Sequence, residues 1–99
     1  MNKIQLDINC PVFQEQLFNL EKLEQRALLN TLKKIRKLGW NELHKDKGIR
    51  WELITSEKTS KGNNIYSFRF SRKYRETAYR DKNYLVLLAL FVDHDSAYK

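Results

Sequence analysis

The chain has 99 residues, of which 41% are hydrophobic and 31% are charged, a composition typical of one globular domain and not of a disordered segment. Nineteen Lys and Arg residues against twelve Asp and Glu give a net charge of +7 at pH 7, which favours a polyanionic partner such as nucleic acid. The longest apolar run, 85–92, is too short for a membrane span, and polar residues interrupt any signal peptide, so we expect a cytoplasmic protein without a membrane partner.

The first part of the chain predicts one strand and two helices. Residues 3–9 alternate apolar and polar side chains, which is typical of a strand with one buried face. Pro11 suits a first helical turn, and apolar residues at helical spacing then predict a short helix that ends at Asn19. A longer apolar stripe predicts a second helix over 21–38, which Gly39 would close as a C-cap.

The second part predicts a short helical turn followed by strands. In order, we expect a helical turn within 40–47, a strand over 49–54, a polar loop over 55–64, and strands over 65–71, 74–80 and 84–92. The last of these is apolar on both faces, as in a central strand that helices cover. The sequence therefore predicts a single α+β domain over residues 1–99, with the helices packed on one face of the sheet.

Basic residues concentrate in two blocks. Seven basic and two acidic residues lie in 33–50, and eight basic and two acidic residues lie in 58–82. In the second block the basic residues alternate with aromatic rings, a mixture that suits RNA because cations bind phosphates and rings stack on bases. The candidate RNA-binding residues are Lys73, Arg72, Arg80, Tyr79, Lys61 and Arg50. The same alternation occurs in any half-buried hairpin, so a solvated face remains the alternative.

The turn between the strands at 65–71 and 74–80 decides where Arg75 points. A two-residue loop would pair Ser71 with Tyr74 and turn Arg75 to the inner face. A three-residue loop or bulge would pair Ser71 with Arg75. The open face would then carry Ser67, Arg69, Arg75, Thr77 and Tyr79. We favour this second register because burying an unpaired guanidinium is costly, although it places Glu76 on the inner side near the sheet edge.

The order of elements and three short segments resemble the RelE/ParE superfamily of toxins. The segments are Ile65-Tyr66-Ser67-Phe68-Arg69-Phe70, Tyr74-Arg75 and Asp93-His94-Asp95-Ser96-Ala97-Tyr98. The resemblance implies an N-terminal strand, a two-helix hairpin and a three- to four-stranded antiparallel sheet. Members that resemble RelE are endoribonucleases that cut mRNA without metal, usually on the ribosome. Members that resemble ParE inhibit gyrase, and an antitoxin neutralises both kinds.

The resemblance also implies a set of catalytic residues. These are Arg75, Arg69, His94 and Tyr98. Attack of a ribose 2′-OH on the adjacent phosphate needs a proton acceptor, donors for the phosphoryl charge and a proton donor for the leaving oxygen. Under this resemblance the two arginines bind the phosphoryl charge, His94 transfers protons, and Tyr98 stacks on a base or donates a proton.

One departure from the resemblance affects the choice of general base. RelE-like sites often carry a lysine pair on the strand of Arg69, whereas this sequence has Ser67 at one of those positions, so the base is left to Lys73 or His94. We expect no metal or cofactor, since Asp93-His94-Asp95 has few further ligands. The expected partners are mRNA, the ribosome and a cognate antitoxin, and the alternatives are a gyrase inhibitor and a non-catalytic RNA-binding protein.

Overall fold

The structure, a computed structural model, describes residues 3–93. Its elements are β1 (Gln5–Asp7), α1 (Pro11–Asn19), α2 (Lys22–Ile35), α3 (Trp40–Lys45), β2 (Glu52–Lys58), β3 (Asn64–Arg69), β4 (Tyr74–Asp81) and β5 (Tyr84–Val92). They form a five-stranded sheet of order β1-β5-β4-β3-β2, in which β1 runs parallel to β5 and the other neighbours are antiparallel. The predicted α+β architecture is confirmed, with β1 added in parallel to the predicted antiparallel strands.

The core lies between the helices and one face of the sheet. α1 contributes Phe13, α2 contributes Leu28 and Ile35, and all three are at most 1% exposed. From the sheet, Phe68 of β3 and Leu87 of β5 are fully buried against them. Each such side chain stabilises the fold by roughly 1.5–3 kcal/mol relative to an exposed one. Within residues 3–93 no helix is both long and apolar enough to cross a membrane.

The second helix is shorter than the sequence predicts. α2 ends at Ile35, and the next residues tighten into a turn in which Leu38 N–H donates to the Ile35 carbonyl at 3.0 Å. The prediction that Gly39 caps this helix is wrong. Gly39 instead precedes α3 as its N-cap, and its N–H donates to Glu42 Oε1 at 2.8 Å. The apolar stripe continues past Ile35 because Leu38 still packs against the core.

The first antiparallel strand lies later in the sequence than predicted. β2 covers Glu52–Lys58 and contains a register shift after Ile54, where the prediction had a strand over 49–54 and then a loop. β2 is an edge strand, and all of its side chains except that of Ile54 are exposed. An exposed edge strand needs no apolar alternation, and polar residues on it discourage pairing with other chains. Its composition therefore resembles that of a loop.

Four residues, 70–73, connect β3 to β4, and the Phe70 N–H donates to the Tyr74 carbonyl at 3.4 Å. Arg69 pairs with Arg75, so the predicted pairing of Ser71 with Arg75 is wrong by two residues. A shift of two residues leaves every side chain on its own face, and the face predicted for Arg75 is therefore correct. Glu76 points to the core as expected, but it is not near an edge, because β4 lies between β3 and β5.

Candidate functional site

Arg75 lies on the sheet face opposite the helices, yet it is only 6% exposed. Its Nε and Nη2 donate to Ser67 Oγ at 3.0 and 2.9 Å, and Nη2 also donates to the Arg50 carbonyl at 2.7 Å. Nη2 is 3.3 Å from Glu52 Oε1. The sequence predicted that Arg75 would not be buried, because an unpaired guanidinium is costly to bury, but the structure buries it with partners. Three acceptors hold the guanidinium in one orientation.

The Arg50 carbonyl reaches Arg75 because of an uncommon backbone conformation. Arg50 has φ 53°, in the left-handed region that non-glycine residues seldom occupy. Its N–H donates to the Asp46 carbonyl at 3.2 Å, which anchors the segment before β2. Its own guanidinium lies 3.6 Å from Glu52 Oε2. The Glu52 carboxylate is therefore placed between two arginines while its side chain stays 53% exposed.

Arg69 is the cross-strand neighbour of Arg75. Its Nε and Nη2 donate to Asp93 Oδ2 at 3.2 and 3.0 Å, and the Asp93 N–H donates to the Lys73 carbonyl at 2.8 Å. Like charges directly opposite each other in a sheet repel, so each arginine here needs its own carboxylate. Asp93 serves Arg69 and Glu52 serves Arg75.

We call this group the arginine cluster. It consists of Arg50, Glu52, Ser67, Arg69, Arg75 and Asp93. Burial lowers the pKa of Arg75, and the carboxylates of Glu52 and Asp93 oppose that shift. The guanidinium stays charged at neutral pH, because arginine does not deprotonate in proteins. The cluster can therefore present fixed positive charge to an anion, with an exposed carboxylate beside it.

Two of the predicted RNA-binding residues, Arg72 and Lys73, lie at the same end of the sheet as the cluster. Arg72 and Lys73 are exposed in the β3–β4 loop, next to Arg69 and Arg75 in the sequence. The Lys73 Nζ lies 5.3 Å from the centre of the Tyr74 ring. Tyr79 is on the open face of β4 but toward the other end of the strand, and it is half-buried.

Two other predicted RNA-binding residues are not brought to the cluster. Arg80, near the far end of β4, stacks on the Trp40 ring at 4.3 Å and donates from Nε to the Lys82 carbonyl at 2.8 Å. Lys61 is exposed in the β2–β3 turn, at the end of β3 opposite to Arg69. Both cations lie along the sheet, away from the group around Arg75.

The predicted residues His94 and Tyr98 lie outside the described residues. Of the segment Asp93-His94-Asp95, which was considered as a metal site, only Asp93 is described. Within the described range, 3–93, no group of three or more His, Cys, Asp and Glu side chains is arranged to hold a metal ion.

Glu52 is a residue of the cluster that was not predicted from the sequence. Its only local signal is its place in the segment Arg50-Trp51-Glu52, where alternation puts Arg50 and Glu52 on one face opposite to Trp51. The pairing with β3 then fixes the position of Glu52, because it is the cross-strand neighbour of Ser67. Only the β2–β3 register brings the carboxylate to Arg75, and the sequence predicted a different range for β2.

Comparison with known proteins identifies the fold. No protein-family model and no curated protein sequence matches this chain. Among solved structures, a chain of the archaeal RelE-RelB complex from Pyrococcus horikoshii OT3 superposes with a TM-score of 0.65, at 17% identity, over 91% of this chain and 94% of that one. The fold is RelE-like. The fold that the sequence resemblance implied is therefore confirmed, and nearly the whole RelE-like chain is covered.

Proposed function

We propose that this RelE-like protein is the toxin of a type II toxin–antitoxin pair and that it cuts mRNA at the arginine cluster. The observation that carries this proposal is Arg75, a buried guanidinium held by three acceptors beside a second arginine on the open face. Catalysts of phosphoryl transfer need such preorganised positive charge where the transition state develops negative charge. The RelE-like fold supports the toxin assignment.

In the proposed reaction the ribose 2′-oxygen attacks the adjacent phosphorus and the bond from phosphorus to the 5′-oxygen breaks. Arg75 and Arg69 stabilise the charge on the phosphoryl oxygens. Glu52 accepts the 2′-OH proton, because its carboxylate is exposed, is oriented by Arg75 and lies on the same face. The products are a cyclic 2′,3′-phosphate and a free 5′-OH, and no metal takes part.

The leaving 5′-oxygen needs a proton donor. We assign this step to His94, and we assign to Tyr98 the stacking on a base or assistance in the proton transfer. The position of Asp93 supports this assignment, because Asp93 directly precedes His94 in the sequence and forms a salt bridge of 3.0 Å with Arg69. Ser67 acts as a positioning residue, since it contacts the Arg75 guanidinium through two hydrogen bonds.

The proposed partners follow from charge and fold. A net charge of +7 favours RNA as a partner, and it equally favours an acidic antitoxin. The RNA that we propose is mRNA on the ribosome. The fold match is to a chain from a RelE-RelB complex, which supports an antitoxin partner for this chain. An antitoxin that covers the arginine cluster would block the proposed reaction.

The proposal is tested by incubating purified protein with RNA, with and without ribosomes and with a metal chelator. We expect fragments with cyclic 2′,3′-phosphate and 5′-OH ends, and no effect of the chelator. Glu52→Gln should reduce cleavage while leaving RNA binding unchanged, since the amide keeps the shape but accepts no proton. Intact RNA under all conditions would contradict the ribonuclease assignment, and DNA damage with intact transcripts in expressing cells would indicate a gyrase inhibitor instead.

A further inference from the structure

A cavity of about 250 Å³ adjoins the arginine cluster. It lies between α2, the segment before β2 and the β3–β4 loop, and its lining includes Thr31, Lys34, Ile49, Arg69, Phe70 and Ser71. Arg69 thus forms part of the cavity wall and part of the cluster. Arg69 is therefore the residue that connects the cavity, which lies against α2, with the cluster on the open face.

The wall of the cavity is preorganised by Asp46. Its Oδ1 accepts hydrogen bonds from the N–H groups of Gly48 and Ile49, both at 2.9 Å, and its Oδ2 pairs with Lys34 Nζ at 3.0 Å. The Ile49 carbonyl in turn accepts the Arg69 N–H at 2.7 Å. These bonds tie α2, the loop and β3 together. The cavity therefore exists before any ligand enters.

The lining combines an apolar floor with a polar and basic rim. Ile49 and Phe70 are buried and give the floor, and Phe70 stacks at 6.0 Å on Tyr74. Thr31 and Ser71 carry hydroxyl groups, and the two cations of the rim, Lys34 and Arg69, are paired with Asp46 and Asp93. Among the described residues, no carboxylate belongs to the lining of this cavity, whereas a second cavity beside β1 is lined by Asp7 and Asp81.

We propose that this cavity binds one nucleobase of the RNA strand whose phosphate lies at Arg69 and Arg75. The volume is below the roughly 300–1,000 Å³ of sites for whole drug-sized ligands, which suits a single base. Single-stranded RNA is recognised by splaying out a base, packing its face on an apolar or aromatic surface and bonding its edge to polar groups. The apolar floor can pack on the face of the base, and the hydroxyls of Thr31 and Ser71 can hydrogen-bond to its edge. This inference rests on the proposed function.

The test uses Thr31→Met, which fills the cavity from α2, and Asn30→Met as a matched control on the exposed face of the same helix. The probes are four homopolymeric RNAs of about eight nucleotides with 2′-O-methyl riboses, which bind but cannot be cut. Affinities are measured by fluorescence anisotropy over a range of salt concentrations. Thr31→Val, an isosteric change that removes only the hydroxyl, serves as a second variant.

For the wild type we expect the four RNAs to differ in affinity by roughly tenfold, the scale of one base contact. Thr31→Met should reduce this spread to about twofold with an unchanged salt slope, because no phosphate contact is lost. Thr31→Val should weaken the best RNA a few-fold, and Asn30→Met should behave as the wild type.

Two results would overturn the base site. One is a wild type that binds RNA without base preference, and the other is a preference that Thr31→Met and Thr31→Val leave intact. A wild type that binds none of the RNAs would instead refute RNA as the partner, and so the proposed function itself.

Discussion

Arg75 and Glu76 are neighbours in β4, both are buried, and the fold treats them in opposite ways. Arg75 faces the open side of the sheet, where Ser67, Arg50 and Glu52 provide acceptors for its guanidinium. Glu76 faces the core, where it is 0% exposed and its carboxyl oxygens make no hydrogen bond of good geometry among the described residues. The positive charge of Arg75 is stabilised by its partners, whereas the side chain of Glu76 stays protonated and so carries no charge.

The pKa of each group records this difference. Burial raises the pKa of Glu76 to about 8, and the nearby Leu88 backbone opposes the shift only in part. At neutral pH the Glu76 side chain is therefore mainly a neutral acid packed between its cross-strand neighbours Phe68 and Leu90. Burial also lowers the pKa of Arg75, but its carboxylate neighbours hold the charge in place. Burial thus leaves Glu76 neutral, whereas the partners of Arg75 keep its guanidinium charged.

The largest expected effect is on RNA cleavage by Arg75→Ala. Loss of one preorganised donor to a transition-state oxyanion lowers rates by about 10²–10³-fold, and we expect a reduction on this scale. The measurement is single-turnover cleavage of a labelled RNA. Arg26→Ala, which removes an exposed arginine on α2, is the matched control and should retain the wild-type rate. Equal rates in both variants, each shown to be folded, would remove Arg75 from the proposed site.

The second prediction concerns the pH dependence of stability through Glu76. Its pKa in the folded state, about 8, lies above the ordinary value of 4.5, so its contribution to stability is complete below pH 4.5 and is lost as pH rises toward 8. At pH 7 the loss amounts to about 3 kcal/mol. Glu76→Gln does not titrate, so the wild type should lose about this much unfolding free energy relative to the variant between pH 4 and pH 7.

The measurement for Glu76 is urea unfolding of both proteins across this pH range. Glu15→Gln, at an exposed carboxyl on α1, controls for the general effect of removing an acid. Cleavage per folded molecule should be the same in Glu76→Gln and the wild type, because this side chain points away from the arginine cluster. Parallel pH profiles for wild type and Glu76→Gln would show that the core carboxyl is not neutral.

A smaller effect is expected for Ser67→Ala. Ser67 is 4% exposed, and its hydroxyl accepts two hydrogen bonds from Arg75. Removing it leaves buried donors without that acceptor, which costs about 1–3 kcal/mol of stability. We expect cleavage to fall by about tenfold, less than for Arg75→Ala, since the guanidinium remains but is less well oriented. Ser60→Ala, at an exposed serine in the β2–β3 turn, should change neither quantity.

The smallest effects are expected in the exposed loop between β3 and β4. Arg72→Ala and Lys73→Ala should change stability by no more than about 0.5 kcal/mol. Each should reduce the slope of log affinity for RNA against log salt concentration by about 0.7, the value for one phosphate contact with a single strand. Lys61→Ala, at the opposite end of the sheet, tests how far the bound RNA extends over the sheet. An equal reduction of the slope for this variant would mean that the RNA contacts both ends of the sheet.

Elements with a strong local signal could be predicted from the sequence. α1 begins at Pro11 and ends at Asn19 as predicted, because proline fixes the first turn. β5 covers Tyr84–Val92 as predicted, because it is apolar on both faces and follows a polar turn. β2 was placed too early, because an exposed edge strand is specified by its pairing with β3 and not by its own residues.

In the arginine cluster too, residues with a local sequence signal could be predicted, whereas residues positioned by tertiary contacts could not. Alternation in β3 and β4, together with the cost of burying an unpaired guanidinium, placed Arg69 and Arg75 on one face. The burial of Arg75 could not be read from alternation, because it depends on a carbonyl from Arg50 at a positive φ and on a carboxylate from Glu52. Both arrive from a segment distant in sequence, and tertiary contacts of that kind leave no local periodic signal.

The pairing of β1 with β5 joins the first and the last strand of the described part of the chain. α1 depends on the same strand, since the Leu90 N–H donates to Gln16 Oε1 at 2.9 Å. During synthesis, β1 therefore has no partner strand, and α1 lacks this contact, until β5 has been made. Contacts between the two ends of a chain raise contact order and slow folding. We expect the domain to fold late and cooperatively, so that fragments ending before Tyr84 remain unstructured and accessible to proteases.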